Sequence, residues 1–395
     1  MAVGSHVNQL QQAVETLLPA IREAAVEIDD QRTLPEWLVQ GLADAGVFRM
    51  LLGKEQGGLG LDPVTTAGVI ESISNANGSA GWVAMILSVT PFWVAAYIEE
   101  EGACRDFFEG DSQPDQPVLI GGSQVPHGRA LKTNGGWRLT GQWPFASACN
   151  HANWVSTGSW IYEGTEPILN ESGSPMWRLF LSPASNCRIL DTWRTTGLRG
   201  TGSHDYTMED VFVPDHMVML HPAQGKSSRA ERHYHYPGMA VPMMSAVSLG
   251  IGQAAVDGLN RLLREKVDRR SSRPASGDLD KLSDLAKTEF LVGSARGYLY
   301  ENLSQIWALV QDGKEVPMDL RGRFRTACTS AVTASVQAVD LAYATAGASS
   351  IYTSSDLERC FRDVHTSAAH AFIRPITLAD GGKMLLGEEP DFMMF

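Results

Sequence analysis

Two short stretches of this chain carry the residue types that proton and cofactor chemistry needs. Ser147 closes the run Trp143-Pro-Phe-Ala-Ser147, and His370 lies in the apolar run Ala368-Ala-His-Ala-Phe-Ile373. An imidazole shielded from water can hold or pass a proton near neutral pH. A hydroxyl at a strand end can donate or accept a hydrogen bond. Read as a strand, the first run puts Trp143 and Phe145 on one face and Gln142, Pro144 and Ala146 on the other. That makes an apolar wall for a flat ring, with Ser147 as the polar contact at its edge. His370 is expected inside a helix. Taken singly, such a run or such a His is more often plain core, and Ser147 can be only a turn residue.

Other motifs carry less. His233-Tyr-His235 sets two imidazoles in a basic stretch with no nearby set of carboxylates or thiols, so no metal site is expected. No Gly-x-Gly-x-x-Gly opens a strand-helix-strand unit, so NAD(P)H is not expected to bind here. The five cysteines are dispersed, with no metal or redox spacing, which suits a reducing cytoplasm. A net charge of -13 argues against nucleic acid or an anionic membrane as partner. No apolar run is read as a membrane span, and no signal peptide is recognised at the start.

The elements that must position these residues fall into three blocks. Residues 7–115 read as helices: Val7–Ile28 by its apolar spacing, Trp37–Val47 after a Thr-Leu-Pro-Glu start, Asp62 to about Ala76, and the strongly apolar Gly81–Ile98. Residues 116–225 carry short alternating runs split by Gly, Asn, Ser and Pro, the pattern of a small antiparallel β domain, with Tyr162–Ser174 as a loop. Residues 223–237 read as a polar, basic linker. From 237 to 395 four long helices are expected, at about 238–268, 278–312, 318–347 and 354–380, with Gly347 ending the third. Their lengths imply a four-helix bundle, and Ala-, Ser- and Thr-rich faces such as Ala327–Ala338 suit packing within or between subunits.

That order resembles the acyl-CoA dehydrogenase fold: a helical domain, a β-barrel or sandwich, then a four-helix bundle. Three segments carry the resemblance: Gly135–Ser147, Thr196-Gly-Leu-Arg-Gly-Thr-Gly-Ser-His-Asp205 through Pro214, and Arg362-Asp363 to His370. In the dehydrogenases the helix resembling the last of these is followed by a catalytic Glu in Tyr-Glu-Gly-Thr. Here it is followed by Gly381-Gly-Lys-Met-Leu-Leu-Gly387, which lacks that Glu and so lacks the base for proton abstraction beside a thioester. Tyr162-Glu-Gly-Thr165 spells the motif about two hundred residues too early, in the β domain.

Within the superfamily, Trp-Pro-Phe-Ala-Ser with the late His resembles the two-component flavin-dependent monooxygenases of group D. The resemblance implies that Ser147 contacts flavin N5 and that His370 sits beside the carbon where oxygen adds. The reaction implied is hydroxylation or epoxidation, through a flavin C4a-hydroperoxide, of a hydrophobic aromatic substrate, an indole-bearing or polycyclic one preferred. Phe145 and Trp82 are then expected against the flavin. Ser123, in Gly121-Gly-Ser-Gln124, is a candidate contact for flavin and substrate. Thr90 stands where several relatives carry a substrate-directed His, eight residues after the Trp matching Trp82. Arg269 and Ser349 match residues that approach the cofactor, across a subunit interface, although the Arg264–Arg273 cluster can equally be a solvated surface. The expected cofactor is reduced flavin, FADH2 before FMNH2, with O2 as co-substrate. The expected partners are a separate NAD(P)H:flavin reductase and further copies of the chain in a homotetramer or homodimer. N-oxidation of an amine or amino sugar on the same scaffold is the second reading, and acyl-CoA dehydrogenation a less favoured third.

Overall fold

The computed structural model describes residues 2–98, 108, 117–222, 227, 231–267 and 274–390. The chain opens with helices α1 (Ala2–Glu23), α2 (Ala25–Gln31) and α3 (Glu36–Asp44). The third stops earlier than expected because Gly46, at φ 85°, turns the chain left-handed, and Val47–Arg49 continues as a 3-10 turn. Helix α4 (Pro63–Ala76) starts where the Asp62 carboxylate accepts the Thr65 N–H at 2.8 Å. Asn77 caps α5 (Gly78–Tyr97) in the same way, accepting from Ala80 at 3.0 Å.

Helix α5 is apolar on every side, and nearly all of it is buried. By length and composition it and Gly238–Glu265 could each cross a membrane, contrary to the expectation from sequence. Both are sunk in the protein's own core, which accounts for their composition.

The middle of the chain forms one eight-stranded sheet, ordered β6-β7-β2-β1-β3-β5-β8, with β4 on β3. The strands are β1 (Ile120–Thr133), β2 (Gly136–Trp143), β3 (Trp154–Glu163), β4 (Glu166–Pro167), β5 (Trp177–Pro183), β6 (Arg188–Leu190), β7 (Asp205–Pro214) and β8 (Val218–Met219). It is not wholly antiparallel: β1 and β3 run parallel, Ile120 opposite Trp154. Strand β2 returns along one edge of β1, and the chain then crosses the start of β1 to reach its other edge. Residues 144–153, with Ser147, make that crossing. The expected loop at 162–174 is partly a hairpin, since β4 pairs with the end of β3. Its turn is Glu163–Thr165, with Gly164 at φ 58°, so the early Tyr-Glu-Gly-Thr is only a turn.

The expected linker is not one throughout. Tyr234 is fully buried, stacks on Phe92 at 5.2 Å, accepts the Gly53 N–H at 2.8 Å and donates to Gln56 at 2.9 Å. Helices α6 (Pro242–Glu265), α7 (Leu279–Gln311) and α8 (Met318–Ala346) follow, and Gly347 at φ 60° ends the last. The expected fourth helix is two: α9 (Asp356–Ala368) and α10 (Leu378–Leu385). Pro375 keeps helix from resuming before Leu378, because its ring holds Arg374 in an extended conformation at ψ 154°, while α9 itself ends at Ala368. His370 therefore lies just past the end of α9, on a short strap, and not inside a helix as expected.

Candidate active site

The loop after β2 departs from the alternating wall expected of it. Trp143 is fully buried, stacks on Tyr206 at 5.5 Å and donates its Nε1–H to the Gly158 carbonyl at 2.6 Å. Pro144 cannot extend the ladder. Phe145 then adopts φ 60° and Ala148 φ 62°, which swings the chain across β1. The two aromatic residues do not share a face: Trp143 belongs to the sheet core, whereas Phe145 is 67% exposed, its edge toward Trp193 at 6.3 Å. A bulky residue in the left-handed region is strained, and a large apolar ring held out of the core suits a site that receives a flat partner.

Ser147 sits on a loop fixed from three sides. Ala146 N–H donates to the His204 carbonyl at 3.0 Å, Ala148 N–H to the Thr201 carbonyl at 3.1 Å, and Ser147 bridges Gly122 of β1. That crossing requires glycine: a Cβ on Gly121 would meet the Ser147 carbonyl at 3.1 Å, and Gly122 lies at φ 113°. The Ser147 hydroxyl accepts Trp82 Nε1–H at 3.1 Å and lies 2.8 Å from the Ser203 hydroxyl, itself 2.8 Å from that of Thr201.

Trp82 is the hinge between the two predicted groups. Its indole N–H reaches Ser147 while its ring packs against the His370 imidazole, centroids 5.5 Å apart. The Phe372 N–H donates to His370 Nδ1 at 3.3 Å, so the neutral ring carries its proton on Nε2. Burial pushes the His370 pKa down to about 4, leaving it neutral at pH 7.

Phe372 meets His370 at 5.2 Å, Trp93 at 6.3 Å and His221 at 6.4 Å, and His221 packs on Trp177 at 5.0 Å. Trp82 and Trp93 lie on one face of α5, eleven residues apart, so the 370–372 strap runs along that face.

The other expected residues are placed as follows. Ser123 is buried in β1, one residue past the Gly122 bridge to Ser147, and so lies on a strand. Thr90 is buried in α5, one turn before Trp93. Ser349 lies apart from the Ser147–Trp82–His370 group, on a turn where it accepts from Lys266 Nζ at 2.8 Å. Arg269 lies outside the described residues. Sequence reading points to Trp93 only through the aromatic content of Ala80–Tyr97, which suggests a hydrophobic substrate, and it misses Thr201, Ser203, Trp177, His221 and Phe372. The hydroxyls of Thr201-Gly-Ser203 lie in a segment that carries the fold resemblance, and nothing in their local pattern points at Ser147.

An exposed ring at Phe145, a hydroxyl at Ser147 and a neutral imidazole at His370 fit a flavin, which has an apolar face and a polar N5 edge. Among the described residues, no group of three or more His, Cys, Asp or Glu could hold a metal.

The sequence matches known families along most of its length. Residues 6–102 match the family described as Acyl-CoA dehydrogenase, N-terminal domain, and residues 242–375 match Acyl-CoA dehydrogenase, C-terminal domain. The chain is 33% identical over 383 residues to an indole-3-acetate monooxygenase of Pseudomonas putida, covering 96% of this chain and 94% of that one. It is 31% identical over 373 residues to a flavin-dependent monooxygenase, oxygenase subunit HsaA, of Rhodococcus jostii, covering 91% and 93%. The crystal structure of the HsaA monooxygenase from M. tuberculosis aligns with a TM-score of 0.86 at 27% identity, covering 98% of this chain and 100% of that one.

Proposed function

The chain belongs to the acyl-CoA dehydrogenase family, among its flavin-dependent monooxygenases, and on that premise we propose that it is an oxygenase component acting on a hydrophobic aromatic substrate. One oxygen atom of O2 enters the substrate and the other leaves as water. Reduced flavin, when bound, supplies the two electrons that this requires. The observation that carries the reading is the junction of Ser147 and His370 through Trp82, beside an exposed Phe145.

Phe145 gives the flavin ring an apolar face, and Ser147 orients its N5 edge. His370 holds a proton on Nε2 and would direct it, as a hydrogen-bond donor, at oxygen bound beside the flavin. Trp82, Trp93 and Phe372 exclude water from that proton, and Thr90 and Ser123 are polar contacts for the substrate. The aromatic lining supports an aromatic guest, and the 33% identity to an indole-3-acetate monooxygenase favours an indole-bearing one. Ser349 approaches the cofactor from a neighbouring copy of the chain, in a homotetramer or homodimer. The four described cysteines are free thiols, which fits action in a reducing cytoplasm.

A separate reductase supplies the flavin. The pure chain should leave NAD(P)H unoxidised, and indole-3-acetate should be hydroxylated only once a flavin reductase or chemically reduced flavin is added. Steady NAD(P)H consumption by the chain alone would contradict the two-component reading.

A further inference from the structure

The hydroxyls behind Ser147 form a chain whose hydrogens can be placed one by one. Thr201 Oγ1 lies 2.8 Å from the Leu198 carbonyl oxygen. Two oxygens that close need a hydrogen between them, and a carbonyl has none, so Thr201 donates. Its one hydrogen is then used. Across the next 2.8 Å, between Thr201 and Ser203, Ser203 must donate. Ser203 has in turn no hydrogen for Ser147, so across the last 2.8 Å Ser147 donates to Ser203. Trp82 Nε1–H, which can only donate, points at Ser147 from the other side. The order Trp82 → Ser147 → Ser203 → Thr201 → Leu198 leaves Ser147 one free lone pair and no free hydrogen. Thr201, Ser203 and Ser147 are all buried, so bulk water does not scramble it.

We propose that Thr201 and Ser203 are positioning residues that hold Ser147 as a pure acceptor, and that they thereby select the redox state of the bound flavin. This rests on the flavin reading above. The N5 of oxidised flavin carries no hydrogen and can only accept, so it meets the Ser147 lone pair without a bond. The N5 of reduced flavin carries a hydrogen and donates it to that lone pair. The relay therefore favours the reduced form that a reductase delivers and disfavours the spent form that must leave. Ser147 alone, free to rotate, would serve both forms about equally.

The test is the dissociation constant of oxidised and of dithionite-reduced flavin, FAD and FMN each, measured anaerobically for the whole chain and its variants. The unaltered chain should hold the reduced form more tightly. Ser203→Ala frees the Ser147 hydrogen to reach oxidised N5, so oxidised flavin should bind more tightly by about tenfold, the scale of one hydrogen bond. Reduced-flavin affinity should change little, and the bound two-electron midpoint potential should fall by about 30 mV. Thr201→Val should act in the same direction, and it reads the same link should Ser203→Ala not fold. Ser203→Thr and Thr201→Ser keep the hydroxyls and should keep the unaltered ratio. A merely structural role predicts instead that both flavin forms weaken together. An unchanged ratio in the Ala and Val variants, or joint weakening, overturns the relay and leaves the flavin site standing. Failure of both reduced FAD and reduced FMN to bind the unaltered chain defeats the functional reading itself.

Discussion

At the scale of single residues, side chains that do chemistry should part from those that only pack when each is removed. Ser147→Ala removes the acceptor of the Trp82 N–H, and His370→Ala removes a partly buried ring packed against Trp82. Each should cost only about 1–2 kcal/mol of stability. Product formation should fall by about a hundred- to ten-thousand-fold, the range for a positioned proton donor. The electrons should still reach oxygen and emerge as hydrogen peroxide, so assays of product and peroxide together decide the matter. An unchanged ratio of the two in both variants would remove Ser147 and His370 from the mechanism. Both residues were legible in the sequence because each stands in a run with a recognisable neighbourhood. Phe145 was legible by type only: period-two alternation holds only for extended backbone, and the left-handed φ of 60° reversed the face inferred for it. Ser203 and Thr201 were not legible as a relay, since the 2.8 Å contact of Ser147 with Ser203 joins residues 56 positions apart.

At the scale of elements, the segment 196–204 positions the relay and is itself clamped by α9. Leu198 N–H donates to the Asp363 carboxylate at 2.6 Å, Arg362 donates to the Thr196 carbonyl at 2.8 Å, and Gly200 N–H donates to Ser79 of α5 at 3.1 Å. The clamp leaves no room at Gly197, where an added Cβ would lie 2.0 Å from the Arg362 carbonyl oxygen. Gly197→Ala should therefore destabilise the fold by about 2–3 kcal/mol and shift the segment away from α9. Coupling of oxygen use to product should fall with it. Gly382→Ala, in the interior of α10 with open space around it, should be neutral or slightly stabilising. Urea midpoints of the two variants give the comparison, and equal midpoints would show that the close approach is not a constraint. The helices themselves were largely readable from apolar spacing and caps such as Asp62. Apolar spacing carries on past Ala368, where α9 ends, so it does not show that His370 lies beyond the helix, and only Pro375 signals that the helix is interrupted. The parallel pairing of β1 with β3 had no local signature, because it depends on where a loop crosses and not on the strands it joins.

At the scale of the whole molecule, the long helices leave large apolar side chains outside. Phe290 is 70% exposed on α7, and Leu279 at its start is also open. Such residues suit an interface between copies, and the chain should assemble as a tetramer, or at least a dimer, through them. A solution mass of one 42.9 kDa chain at micromolar concentration with full activity would contradict that. The fold should also be acid-sensitive. Burial pushes His151, His221, His233 and His370 down from 6.5 to about 4, so the unfolded chain binds more protons than the folded one between those values. Stability is then greatest above about pH 6.5 and falls as the pH drops toward 4, with about 3 kcal/mol at stake for the deeply buried His221. Asp363, whose carboxyl burial raises to about 7, works against this with a single proton. Urea midpoints at pH 7 and pH 5 should therefore differ, the acidic one lower, and equal midpoints would mean that these imidazoles are hydrated.

The central claim, that Ser147, Trp82 and His370 manage oxygen at a reduced flavin, is tested most directly by rapid mixing. The reduced-flavin-loaded chain is mixed with oxygenated buffer while oxygen uptake and oxidised-flavin absorbance are followed together. Two resolved phases are expected, oxygen uptake first and oxidised-flavin absorbance returning only later, with the delay lost in Ser147→Ala and His370→Ala. A single phase in the unaltered chain, with uptake and reoxidation simultaneous as for flavin free in solution, would contradict it.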